Sequence, residues 1–139
     1  PVDMTLDLPN VTNVDSPKQI NVGGFKISLT PVDHAAVYQK SPCQNLTVTV
    51  DDYLYYPGDS FVNSGAKVHI LALPISGPWL KTSEIIDFAK ANQSEYVLAT
   101  HNALNSETGD WAVKSWLEKS NALAGRTYLE LAPGQNFAD

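Results

Sequence analysis

His34, Asp59 and His101 are metal-competent side chains that share a placement: each stands just after a run that reads as a buried strand. His34 follows Phe25-Lys26-Ile27-Ser28-Leu29-Thr30-Pro31-Val32. Asp59 lies in the turn Pro57-Gly58-Asp59-Ser60 after Tyr53-Leu54-Tyr55-Tyr56, and His101 follows Tyr96-Val97-Leu98-Ala99-Thr100. Ligands at the carboxyl ends of adjacent strands can converge, because the sheet holds the backbones while the loops aim the side chains. Two imidazoles and a carboxylate suit a zinc-type divalent ion. Singly, each residue has an everyday role: a satisfied loop or core histidine, or an aspartate accepting backbone hydrogen bonds in a turn. Their joint occurrence at strand ends, in the order His, Asp, His, singles them out as candidate metal ligands. His69, inside the run Val68–Leu73, reads as structural or edge-exposed, and no His/Asp cluster is present to complete a metal site. Asp33, beside His34, either supports that histidine from behind or points away.

The elements that must position these residues follow from periodicity. Ile20-Asn21-Val22, Gly23-Gly24, then Phe25–Leu29 alternates across a two-glycine turn, a hairpin signal. Leu46–Val50, Asp51-Asp52, then Tyr53–Tyr56 repeats it with an acidic turn. Val68–Leu73 is nearly continuous apolar chain ending at Pro74, as a central strand covered on both faces requires. Thr82 is the expected cap of a first helix with Glu84 in its first turn and Ile85, Phe88 and Ala89 on one face. Tyr96–Thr100 is the next strand. Thr108 or Asp110 starts a second helix carrying Ala112, Val113, Trp116 and Leu117, and Thr127–Leu131 is the last strand before Pro133-Gly134. Residues 1–19, rich in Asp, Asn, Pro and Thr, read as irregular chain with one short strand at Met4–Leu8. Hairpins first and strand–helix alternation afterwards indicate a layered α/β or α+β domain.

Composition narrows the function classes. A chain of 139 residues with 43% hydrophobic and 17% charged residues is long enough to bury one core, so a single domain over 1–139 is expected. A net charge of −6 without a Lys/Arg cluster argues against nucleic acid, and no apolar run is long enough to cross a membrane as a helix. The amino terminus carries no secretory signal pattern, and a cytoplasmic location is expected. Cys43, the one cysteine, excludes an intrachain disulfide and reads as a small buried or half-buried residue. Sequons at Asn10, Asn45 and Asn92 carry little weight. There is no Gly-x-Ser-x-Gly and no phosphate-cradling glycine loop before a helix. Ser76-Gly77-Pro78-Trp79 either forms a substrate-facing loop or lets Trp79 pack over the following helix; packing is the simpler expectation. Tyr55-Tyr56 and Trp111/Trp116 read as core and rim packing.

Taken in order, Tyr55-Tyr56-Pro57-Gly58-Asp59-Ser60, Val68–Pro74 with Ile75-Ser76-Gly77-Pro78-Trp79, and Val97-Leu98-Ala99-Thr100-His101 resemble the carboxyl-terminal part of metallo-β-lactamase-fold metal-dependent hydrolases, nearest the lactonase-like branch. In that family a Thr-Gly-Asp-Thr type sequence supplies an aspartate bridging two metals, which Asp59 matches; histidines after strands, matched by His34 and His101, serve one metal each. The resemblance implies an αβ/βα sandwich of two similar halves, with residues 20–139 as the carboxyl-terminal half. It also implies divalent ions, zinc foremost, activating water against an ester, lactone or related bond of a small-molecule substrate. The family's His-x-His-x-Asp-His motif appears nowhere here, and the chain starts at Pro1. The expectation is therefore a fragment or truncated member, inactive alone, with metal weakly held or absent and no catalytic residue assigned. The alternative is a non-catalytic α/β module for self-association or partner binding. Because half a sandwich leaves a sheet face open, a homo-oligomer is expected.

Overall fold

The computed structural model describes residues 11–39, 43–132 and 134–137. The expected strand at Met4–Leu8, the sequon residue Asn10 and Pro133 lie outside them. The elements are β1 (Lys18–Val22), β2 (Phe25–Asp33), β3 (Gln44–Val50), β4 (Leu54–Tyr56), β5 (Val68–Pro74), α1 (Thr82–Ala91), β6 (Ser94–Thr100), α2 (Glu107–Lys119) and β7 (Thr127–Leu129). They form one seven-stranded mixed sheet whose strands lie in chain order. Strands β1 to β4 are antiparallel neighbours, and β4 to β7 run parallel. The expected layered α/β class is what forms. The irregular lead-in ends slightly early, since β1 starts at Lys18, two residues before Ile20.

The first hairpin closes as its pattern requires, with Val22 opposite Phe25. The second differs by one residue. Asp51 and Asp52 take left-handed φ values of 52° and 55°, which a tight hairpin turn needs, and Tyr53 N–H donates to the Val50 carbonyl at 2.8 Å. Pairing then resumes at Leu54, opposite Val50. Tyr53 is drawn toward β5 instead: its carbonyl accepts from both His69 N and Ile70 N, at 2.8 and 2.9 Å. Two successive N–H groups on one carbonyl mark a bulge. There His69 lies against the rings of Tyr53 and Tyr96, at 4.3 and 5.0 Å, with Nδ1 3.0 Å from Glu95 Oε2. His69 is structural, as its place in the strand suggested.

Each helix start corrects the sequence reading by a residue or more. Lys81, not Thr82, is the cap of α1, and Glu84 reaches back so that its carboxylate accepts from Lys81 N–H at 2.7 Å. Helix α2 begins at Glu107, ahead of Thr108 and Asp110, because Ser106 Oγ accepts from Gly109 N–H at 3.2 Å. The two parallel crossovers β5–α1–β6 and β6–α2–β7 advance in the same direction, so connections of the usual hand bring both helices to one face of the sheet. The core lies between that face and the helices: Tyr55, Val68, Leu71, Leu73 and Val97 against Ile85, Phe88, Ala89 and Leu117. Strand β5 is buried along almost its whole length, as its apolar run predicted. Trp111 and Trp116 do not pack inward: they are 64% and 56% exposed, and Leu117 takes the buried position on α2. Cys43 is exposed, not buried.

Candidate metal centre

Strand β2 delivers His34 one residue past its last paired position, and β3 runs beside it with Asn45 opposite Val32. That register makes Asn45 the clamp of the next turn. Its amide nitrogen donates to the Pro57 carbonyl at 2.8 Å, and its oxygen accepts from Asp59 N–H at 3.1 Å. Gly58 sits at φ +61°, and a Cβ there would lie 2.2 Å from Asn45 Oδ1, so the clamp and any side chain at 58 exclude each other. From the other side Ala35 N–H donates to the Asp59 carbonyl at 2.8 Å. The backbone of Asp59 is thus held at both its polar groups.

Its carboxylate then meets the two histidines separately. His34 Nε2 lies 3.1 Å from Oδ2, and His101 Nε2 lies 3.0 Å from Oδ1. The three strand-end residues do converge on one rim. His101 reaches it from a left-handed backbone, φ 60°, a strained choice for a residue with a Cβ and one that concentrates at functional sites. Behind His34, Nδ1 is 2.6 Å from the Ala35 carbonyl. Asp33, considered for that supporting role, is exposed. Nearby Tyr56 has its phenol pushed above its ordinary value, first by burial and then by the negative charge of Asp59. Trp79 is 7% exposed and stands roughly perpendicular to both imidazoles, with centroids 5.9 Å from His34 and 6.2 Å from His101. It also touches Phe61 at 5.2 Å, which in turn meets Phe88 of α1 at 5.4 Å. Trp79 therefore belongs to the centre as well as to the packing over the helix.

Sequence reading missed Asn45, Ala35 and the site role of Trp79. Asn45 had drawn notice only as a sequon. Asn92, another sequon residue, is 1% exposed and ties α1 to the Asn63-Ser64 loop. Among the described residues no three His, Cys, Asp or Glu side chains close on a single ion position. The gathered residues form two His–Asp pairs sharing one carboxylate.

No family model matches the chain. Protein Rv0786c of Mycobacterium tuberculosis (strain ATCC 25618 / H37Rv) is 31% identical over 77 residues, 51% of this chain and 36% of that protein. Among solved structures, the metallo hydrolase Igni18 of the hyperthermophilic archaeon Ignicoccus hospitalis KIN4/I aligns with a TM-score of 0.57 at 20% identity, over 89% of this chain and 57% of its own. A protein of Parabacteroides distasonis ATCC 8503 assigned as a metal-dependent hydrolase aligns with a TM-score of 0.54 at 14% identity, over 82% and 54%. The chain thus spans little more than half the length of these structures and about a third of the curated relative. What the likeness establishes is the fold: the chain carries a mixed sheet with a helical layer similar to that of these two structures.

Proposed function

We propose that His34, Asp59 and His101 are ligands of a two-ion metallohydrolase centre that this chain fills only in part, with Asp59 bridging the ions. The observation that carries this reading is the proton count at His34. A neutral imidazole has one N–H, and the Ala35 carbonyl at 2.6 Å can only accept, so Nδ1 holds the proton. The bare Nε2 lone pair then faces an anionic oxygen of Asp59 at 3.1 Å. Two lone pairs at that distance repel unless a cation joins them, either a second proton or a metal ion. A backbone carbonyl fixing the far nitrogen is also the usual support of a metal-bound histidine. His101 Nε2 lies 3.0 Å from the other carboxylate oxygen, placed to be the second nitrogen donor.

The donor set suits a divalent, zinc-type ion. Such an ion would supply Lewis acidity toward water and toward an ester, lactone or related electrophile. The chain's own residues hold the ligands: Asn45 and Ala35 fix Asp59, the Ala35 carbonyl sets the His34 tautomer, and Trp79 closes one side. One histidine and a shared carboxylate per ion leave most coordination positions to other donors, so the chain alone is a partial centre. Zinc titration of chelator-dialysed protein is the test. The expected result is weak binding that releases protons, is abolished by Asp59→Asn and reduced by His34→Asn, with no turnover of a generic lactone. A tightly held stoichiometric metal with turnover lost in His101→Asn would overturn the partial-centre reading. No zinc binding at all would overturn the metal reading.

The second reading is self-association, favoured by one feature. Val22 and Phe25, cross-strand partners at the tip of the first hairpin, are 53% and 55% exposed and form an apolar pair on the sheet's outer end. We propose a homodimer as the assembly of the chain, compatible with either reading.

A further inference from the structure

We infer that Trp79 is the positioning residue for both imidazoles of the centre, and that Gly77 exists to seat it. The indole is fixed from three directions. Leu80 N–H donates to the Gly77 carbonyl at 3.4 Å, closing a turn with Trp79 inside it. Phe61 lies on it at 5.2 Å. Gly77, at φ +154°, leaves the space its nitrogen edge fills, since a Cβ there would stand 2.7 Å from Trp79 Nε1 and 3.2 Å from Cδ1 and Cε2. That nitrogen is buried and has no protein hydrogen-bond partner among the described residues. A buried, unsatisfied N–H is costly, and an indole selected for packing alone would turn it toward an acceptor or water. Here the orientation serves the ring. Both imidazoles stand close to perpendicular to it, at 75° and 79°, a favourable arrangement for aromatic edges and faces.

The consequence is geometric. Asp59 needs each Nε2 at a different oxygen, and His101 leaves β6 through a left-handed residue with no hydrogen bond to the ring's far nitrogen among those described. His34 has the Ala35 carbonyl to hold its tautomer; His101 relies on Trp79 for its plane. One rigid indole touching both rings sets their orientations together, so that they address the two oxygens and do not compete for one.

The test reads the rings directly. Long-range proton–nitrogen NMR spectra of the metal-free protein report the tautomer and order of each imidazole, and His69, held by Tyr53, Tyr96 and Glu95, is the internal control. Trp79→Ala and Gly77→Ala are expected to average the tautomers of His101 and broaden those of His34 while His69 stays unchanged. Trp79→Phe, which keeps an aromatic wedge, is expected to restore most of the order. Should Trp79→Ala fail to fold, Gly77→Ala and Trp79→Phe still decide. In a second arm, which rests on the metal reading above, zinc affinity is expected to fall about ten-fold or more in Gly77→Ala and Trp79→Ala. If the parent binds no zinc, the metal reading fails while the imidazole spectra still judge Trp79. Unchanged His34 and His101 spectra in the variants, or changes shared equally by His69, would overturn the inference.

Discussion

Tyr128 hides its hydroxyl: among the described residues the buried Oη has no hydrogen-bond partner, and Lys114 Nζ stands 5.3 Å over the ring. Burial pushes this phenol well above its ordinary value, and the negative charges of Glu130, Asp110 and Glu118 push the same way. Tyr55 is also raised by burial, although its hydroxyl donates to the Val62 carbonyl at 2.6 Å. A proton held more tightly folded than unfolded gives stability that is whole below the unfolded value near pH 10 and is lost as the pH rises above it. Urea unfolding should therefore show stability falling above about pH 10. Tyr128→Phe should flatten part of that fall and, by removing an orphan hydroxyl, cost nothing at pH 7 or gain up to about 1 kcal/mol. A loss of more than about 1 kcal/mol at pH 7 would mean the hydroxyl has a partner. At this scale His34, Asp59 and His101 were legible because strand ends are visible in the sequence. Asn45 and Trp79 were not, because one depends on which β3 residue lies opposite Val32 and the other on the path of a loop.

Among the elements, the end of α1 is the joint of the helical layer. Asn92 donates from Nδ2 to the Phe88 carbonyl at 2.8 Å and to Asn63 Oδ1 at 3.0 Å, and accepts from Ser64 N–H at 2.9 Å. Arg126, just before β7, donates to the carbonyls of Ala89 and Asn92 at 2.6 and 2.5 Å. A guanidinium at a helix carboxyl end meets both the unpaired carbonyls and the negative end of the dipole. Its partial burial lowers its proton affinity, yet an arginine stays charged. Arg126→Ala should cost about 2 kcal/mol, and Asn92→Ala about 2–3 kcal/mol because it strands buried partners; chemical denaturation measures both. These clamps explain why the helices were easier to foresee than their ends. The apolar stripe of Ile85, Phe88 and Ala89 announces α1. Its start and stop are set by Glu84 reaching back and by Arg126, a residue distant in sequence.

For the molecule as a whole, the helical layer covers one face of the sheet, over β4 to β7, and leaves the β1–β2 hairpin to extend beyond it. If the exposed Val22–Phe25 pair is a contact between copies, light scattering at micromolar concentration should report a dimer. Phe25→Ser should shift the equilibrium toward monomer by about ten-fold or more without lowering the cooperativity of unfolding, since that ring is 55% exposed. A parent chain that scatters as a monomer over the same range removes the self-association reading. The overall α/β architecture was open to sequence reading because two hairpins precede two strand–helix units. The one-sided cover was less so, since a buried strand such as β5 looks alike whether a helix or neighbouring side chains seal it.

The strands' side-by-side arrangement in the order of the chain also bears on synthesis. None of the described strands has to be inserted between two that are already paired, so a chain emerging from a ribosome can extend the sheet at its growing edge. The hydrophobic cover arrives late, however: among the described residues, every buried member of the core apart from Tyr55 lies at Val68 or beyond. Nascent chains halted before Ala91 would carry four or five paired strands with no helix over them. Such intermediates are the species that chaperones retain and proteases cut. Ribosome-stalled chains of graded length should thus change from protease-sensitive to resistant only once α1 and β6 have cleared the exit tunnel, even though strands β1 to β5 would have been made before.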